Sequence, residues 1–95
     1  MNLTEFEWAL LNHLSMSYPV IRSHFPHLSV QSRETTGVGM YVNFLYKEVD
    51  AKVELIVPLN YVIGSNDRIA MDGLTWGLGY EVSIENGLME FIETV

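Results

Sequence analysis

Apolar residues recur at two different periods along this chain, and the change of period divides it. Up to residue 14 the spacing is helical: Leu3, Phe6, Leu10 and Leu14 fall three or four apart, and Trp8 and Leu11 widen the stripe. Thr4 and Glu7 form the Thr-x-x-Glu pattern of a capping box. Glu5 and Glu7 also put negative charge in the first turn, where the helix dipole favours it. Tyr18-Pro19 breaks this helix, and Pro19 is expected to open a short second one through Arg22 and Ser23 that ends at Phe25-Pro26.

From Leu28 the period is two. Leu28 and Val30 alternate with Ser29 and Gln31; beyond the Thr36-Gly37-Val38-Gly39 turn, Met40, Val42, Phe44 and Tyr46 alternate with Tyr41, Asn43 and Lys47. A turn centred on Gly37 sets Val30 opposite Phe44 and Leu28 opposite Tyr46, so the apolar side chains share a face. Residues 47–52 read as a turn. A further strand is expected after it, with Val53, Leu55 and Val57 facing Tyr46, Phe44 and Val42, and Pro58 stopping it. Tyr61 to Ile63 reads as strand, residues 64–67 as loop, residues 68–71 as a short strand and Asp72-Gly73 as a turn.

The clearest local signal is Asn86-Gly87, the preferred pair for a two-residue type I′ hairpin because both positions need positive φ. It predicts Ile84 opposite Met89 and Val82 opposite Phe91 on the apolar face. On the other face it predicts Glu85 opposite Leu88, Ser83 opposite Glu90 and Glu81 opposite Ile92. The whole pattern gives an α+β protein: one or two N-terminal helices packed on a five- or six-stranded, mostly antiparallel meander, with residues 1–95 as a single domain.

Composition narrows the function. Five basic against twelve acidic side chains leave a net charge of -7, which opposes binding to nucleic-acid phosphates or anionic lipid and favours a basic protein partner. The chain has no cysteine, so disulfides, thiolate metal sites and cysteine nucleophiles are excluded. The N-terminus carries Glu5 and Glu7 instead of a basic segment, and no apolar run is long enough to span a bilayer, so a cytoplasmic protein is expected.

Searching for chemistry removes most enzyme classes. His24 and His27 form an H-x-x-H spacing with His13 upstream, but neither an H-E-x-x-H motif nor a third clustered ligand accompanies them; they read as surface or capping histidines, and no metal is expected. No G-x-S-x-G elbow supports a serine nucleophile. Gly37-Val38-Gly39 and Gly77-Leu78-Gly79 lack a Walker lysine and read as turns or bulges, so no nucleotide or other cofactor is expected.

What stands out is the C-terminal hairpin. After Arg68 no basic residue follows, whereas Asp72, Glu81, Glu85, Glu90 and Glu93 do. The predicted register gathers Glu81, Glu85 and Glu90 beside Leu88 and Ile92 on one face; Tyr41 and Asn43 offer further contacts, and Trp76 reads as a core residue or, alternatively, as another contact. Charges around exposed apolar groups suit a protein-binding surface.

Two stretches carry a resemblance. Residues 32–44, Ser-Arg-Glu-Thr-Thr-Gly-Val-Gly-Met-Tyr-Val-Asn-Phe, resemble a segment of small uncharacterised bacterial proteins, with Met40 where an aromatic is more usual. Residues 77–88, Gly-Leu-Gly-Tyr-Glu-Val-Ser-Ile-Glu-Asn-Gly-Leu, are similar to the glycine–aromatic strand and hairpin near their C-terminus. The resemblance implies a compact bacterial α+β protein, and proteins of this look include immunity-type partners of toxins; it carries over no functional residue.

The leading expectation is therefore a non-enzymatic acidic module that binds a basic protein through Glu81, Glu85, Leu88, Glu90, Ile92 and Tyr41, with an immunity-type inhibitor as one form. A homodimer or subunit of an assembly is the first rival. A small-molecule binder or enzyme, with a pocket between helix and sheet lined by Tyr18, Tyr46, Tyr61 or Trp76, is the second.

Overall fold

The computed structural model describes residues 1–37, 39–47, 53–64 and 79–94. Helix α1 (Glu5–Ser15) begins as its sequence dictates: the Glu7 amide donates to Thr4 Oγ1 at 3.1 Å and the Thr4 amide to Glu7 Oε1 at 2.8 Å, closing the capping box. Pro19 opens a 3₁₀ helix (Pro19–His27) that runs past Pro26, further than the expected end.

Among the described residues five strands follow: β1 (Leu28–Thr35), β2 (Met40–Tyr46), β3 (Tyr61–Gly64), β4 (Tyr80–Glu85) and β5 (Leu88–Thr94). They form one sheet in the order β1-β2-β5-β4-β3, every neighbouring pair antiparallel. This is the expected α+β fold, but the order is not that of a meander. The place beside β2 that the sequence pattern assigned to Val53, Leu55 and Val57 belongs to β5, where Val42 pairs with Ile92 and Asn43 with Phe91. Residues 53–60 instead form an irregular strap: Ile56 is buried, and Leu55 and Val57 are exposed. Alternation in this short segment fitted a strand, but the longer and better matched β5 took the ladder. The strand expected over residues 68–71, the Asp72-Gly73 turn and Trp76 lie outside the described residues.

One side of the sheet is covered by α1 and the 3₁₀ helix. Leu10, Leu11, Leu14 and Ile21 pack there against Val30, Val42, Val82 and Ile92 in the core. Each fully buried aliphatic side chain of this kind contributes about 1.5–3 kcal/mol. The Leu28–Tyr46 and Val30–Phe44 pairs stand as predicted, and then the register shifts, leaving Gln31 unpaired so that Ser32 meets Asn43 and Arg33 meets Val42. That bulge turns Arg33 towards the helix. Its Nε donates to Glu7 Oε2 and its Nη2 to Glu7 Oε1, both at 2.7 Å.

The terminal hairpin closes on Asn86 and Gly87, with φ of 53° and 80°, the positive values a type I′ turn needs. Ile84 pairs with Met89 and Glu85 with Leu88, as expected. The next pairs are Ser83–Phe91 and Val82–Ile92, with Glu90 left over as a second bulge. Ile92 is thus in the core with no exposed surface, not on the binding face to which simple alternation assigned it. Phe91 takes its place outside.

Candidate functional site

The side of the sheet away from the helices carries the sequence-predicted acids. Pairing is continuous across it. One rung runs Glu34, Tyr41, Glu93, Glu81 and Gly64, and the next runs Ser32, Asn43, Phe91, Ser83 and Val62. Glu85 and Leu88 end the face at the hairpin tip, with Glu90 beside them. Glycine at 64 fits closely here: a Cβ would lie 3.1 Å from Tyr80 O and 3.2 Å from Glu81 Cγ, so a side chain would require its neighbours to shift by a few tenths of an ångström.

The structure therefore brings together Tyr41, Glu81, Glu85, Leu88 and Glu90, excludes Ile92, and adds Phe91, Glu34 and Glu93. Tyr41 and Phe91 meet edge to face, with ring centroids 5.2 Å apart at 76°. The Tyr41 hydroxyl bonds to the Glu93 carboxylate, which together with Glu34 pushes the phenol above its ordinary pKa. At the tip, Glu90 lies within hydrogen-bond range of Glu85 and raises the Glu85 carboxyl above its usual value, because two close carboxylates disfavour each other's charge. Ser83 Oγ donates to Glu90 Oε2 at 3.2 Å. Behind the two acids lies an open recess of about 240 Å³ lined by Tyr46, Glu85, Asn86, Leu88, Met89 and Glu90.

Electrostatically the face is one-sided. Of the five strands only β1 contains a cation, Arg33, and it is held on the helix side by Glu7. Lys47 lies one residue beyond β2. Glu81 stands directly opposite Glu93, an arrangement that destabilises an isolated sheet.

Compared with known proteins, the chain matches no family model, no curated protein and no solved structure. What the face can do is therefore argued from its geometry.

The histidines read as surface or capping residues do not all behave so. His24 is fully buried, with Nδ1 2.7 Å from Tyr46 Oη and Nε2 2.7 Å from the Glu54 carbonyl oxygen. Both ring nitrogens are engaged, leaving no lone pair for an ion. His13 Nδ1 lies 2.7 Å from Tyr80 Oη. Tyr46 and Tyr80 lie 22 and 67 residues from these histidines, so no local spacing announced the pairs. The tyrosines proposed to line a helix–sheet pocket are dispersed: Tyr46 reaches His24, Tyr18 packs against the core, and Tyr61 is 51% exposed. No helix among the described residues is long and apolar enough to cross a membrane.

Proposed function

We propose that this protein is a binding module whose sheet face away from the helices receives a basic protein, acting in the cytoplasm as an immunity-type inhibitor. One observation carries the reading: Glu34, Glu81, Glu85, Glu90 and Glu93 share a face whose strands offer them no cation, and they surround Tyr41, Phe91 and Leu88. Like charges set opposite one another weaken the free protein. A partner's lysines and arginines would remove that repulsion while its apolar groups cover the aromatic pair. Steering by such a face speeds encounter and makes it sensitive to salt.

Capture from native lysate tests this, with tagged wild-type protein and the triple variant Glu81→Lys, Glu85→Lys, Glu90→Lys run in parallel at low and high salt. The expected result is a stoichiometric basic protein held by the wild type at low salt, weakened at high salt and lost from the variant. Its association rate with the variant should fall roughly tenfold or more. Equal retention by both proteins would remove the acidic face from the interface.

A second reading rests on another surface. Among the described residues β3 is the last strand of the sheet, Tyr61 and Val62 on it are each 51% exposed, and Val57 on the strap is 79% exposed. An apolar sheet edge invites pairing with a second copy. Under this reading light scattering gives a dimer that Val62→Lys dissociates; a monomer at every concentration dismisses it.

A further inference from the structure

We propose that His24 is the pin of an acid-sensitive latch, joining the strap at residues 53–60 to the sheet through a hydrogen-bond chain that only a neutral imidazole can complete. The chain has one consistent direction. A carbonyl oxygen can only accept, so at 2.7 Å from Glu54 O the proton is on Nε2. Nδ1 is then an acceptor and takes the Tyr46 hydroxyl proton at 2.7 Å. The Tyr46 oxygen in turn accepts the Met89 amide at 2.9 Å. Strap, 3₁₀ helix, β2 and β5 are tied together by four groups, all satisfied.

A proton added to Nδ1 breaks this order. Nδ1–H and the Tyr46 O–H would then face each other as donors, and the hydroxyl hydrogen would have to turn away from its acceptor. The ring is fully buried, so its new charge would also lack solvent, and a charge or donor left unsatisfied inside a protein is strongly unfavourable. Among the described residues, ionisable groups lie around the ring on each packed element. The Glu54 carboxylate on the strap favours its charge, and His27 on the 3₁₀ helix opposes it. Tyr46 on β2 is itself pushed up to about 12 by burial and stays a neutral hydroxyl. On α1, Glu7 is bound to Arg33 and His13 to Tyr80. Glu85 and Glu90 line the recess on the other side of Tyr46. Burial is the largest influence and holds His24 below its ordinary range.

The strap passes the effect on. Ile56 N donates to Gly87 O and Gly87 N to Leu59 O, both at 2.9 Å, and Asn86 N donates to Asn60 Oδ1 at 3.2 Å. Protonation leaves the Nε2–H bond to Glu54 intact, so the charged ring reaches solvent only by leaving its site together with the strap, and that loosens the support of the hairpin tip that carries Glu85, Leu88 and Glu90. If the proposed binding face is right, acidification weakens its partner; the latch itself does not depend on that reading.

The test uses the protein alone, so its outcome is separate from any failure to find a partner. Imidazole ¹H–¹⁵N spectra and amide exchange, corrected for intrinsic rates, are followed downward from about pH 7.5, above the ordinary histidine range, until the ring protonates. His24 should begin as the Nε2–H tautomer. As it protonates, the Ile56 and Gly87 amides should lose protection by about tenfold per pH unit while the Val82 and Ile92 amides stay protected. In His24→Gln, whose amide offers an N–H donor and an oxygen acceptor to the same partners but takes up no proton, strap protection should not change with pH. Tyr46→Phe removes the hydroxyl that both holds the neutral ring and opposes its proton, so the strap should be less protected at neutral pH and its protection should change less with pH. Protonation of His24 with the strap still protected would overturn the latch, as would strap and core opening together. Acid opening unchanged in His24→Gln would do the same.

Discussion

Glu7 and Glu85 stand on opposite sides of one sheet, and their surroundings treat the same carboxyl group in opposite ways. Glu7 is buried; burial alone would raise its pKa, but two bonds from Arg33 and the Thr4 cap outweigh that and hold it below its ordinary value. Glu85 is in solvent, facing Glu90 with no strand cation beside it, and is raised. The covered side of the sheet thus neutralises what it encloses, and the open side leaves like charges together. The first arrangement serves folding. The second weakens the free protein slightly, a repulsion that a cationic partner of the kind proposed would relieve.

The sharpest way to test this division is at adjacent residues on its two sides. Ile92→Ala empties a fully buried site against Val82 and Val42 and should cost about 2–5 kcal/mol in urea unfolding. Phe91→Ala should cost clearly less, because Phe91 is half-exposed, and should act on partner binding through the lost Tyr41 contact. Equal losses of stability would mean that the β5 bulge is misplaced and that the two faces are not as distinct as described.

Glu7→Ala comes next. It removes the capping-box acceptor and leaves Arg33 without a carboxylate, bonded among the described residues only to the Asn2 carbonyl and Met1 Sδ, a loss of about 2 kcal/mol by the usual worth of charged hydrogen bonds. The pH dependence has a fixed sign. A carboxyl lowered in the folded state contributes stability above its unfolded pKa, near 4.5, and that contribution is lost as pH falls towards the folded value. Wild type should therefore lose more stability than Glu7→Ala on acidification through this window. Parallel pH profiles of urea midpoints would show that the Glu7–Arg33 pair is not the acid-sensitive bond.

These residues also show what was legible in the sequence. Local rules sufficed for α1 with its cap, the Leu28–Tyr46 and Val30–Phe44 register, and the Asn86-Gly87 turn, because each is determined within a few residues. They failed at Ile92 and at the strap. A β-bulge adds one residue, which reverses every later side chain, and the apolar pair Phe91-Ile92 fits either phase. Which strand fills the edge of β2 is decided by competition between distant segments, which alternation within Val53, Leu55 and Val57 cannot express. At the candidate site, the acids were recognisable because the turn fixes Glu85 beside Leu88. Phe91, Glu34 and Glu93 were missed because their places depend on both bulges and on the β2–β5 pairing. Buried His24 was missed because its partners are contributed by β2 and the strap.

The smallest expected effect is the most specific to the open face. Glu85→Gln removes one of two facing carboxylates, so it should leave the folded protein equally stable or slightly more so at neutral pH, unlike loss of Glu7. Its pH signature should also be reversed. A carboxyl raised in the folded state contributes stability below its unfolded pKa, and that contribution disappears as pH rises through the folded value. Between those two values the wild type should fall behind Glu85→Gln as pH increases, while partner association should be slower for the variant in low salt, where screening is weakest. A variant less stable than wild type throughout would mean that the Glu85–Glu90 contact supports the hairpin. The contrast with Glu7 would then be one of exposure alone, and the argument that unpaired acids on this face await a cation would lose its energetic basis.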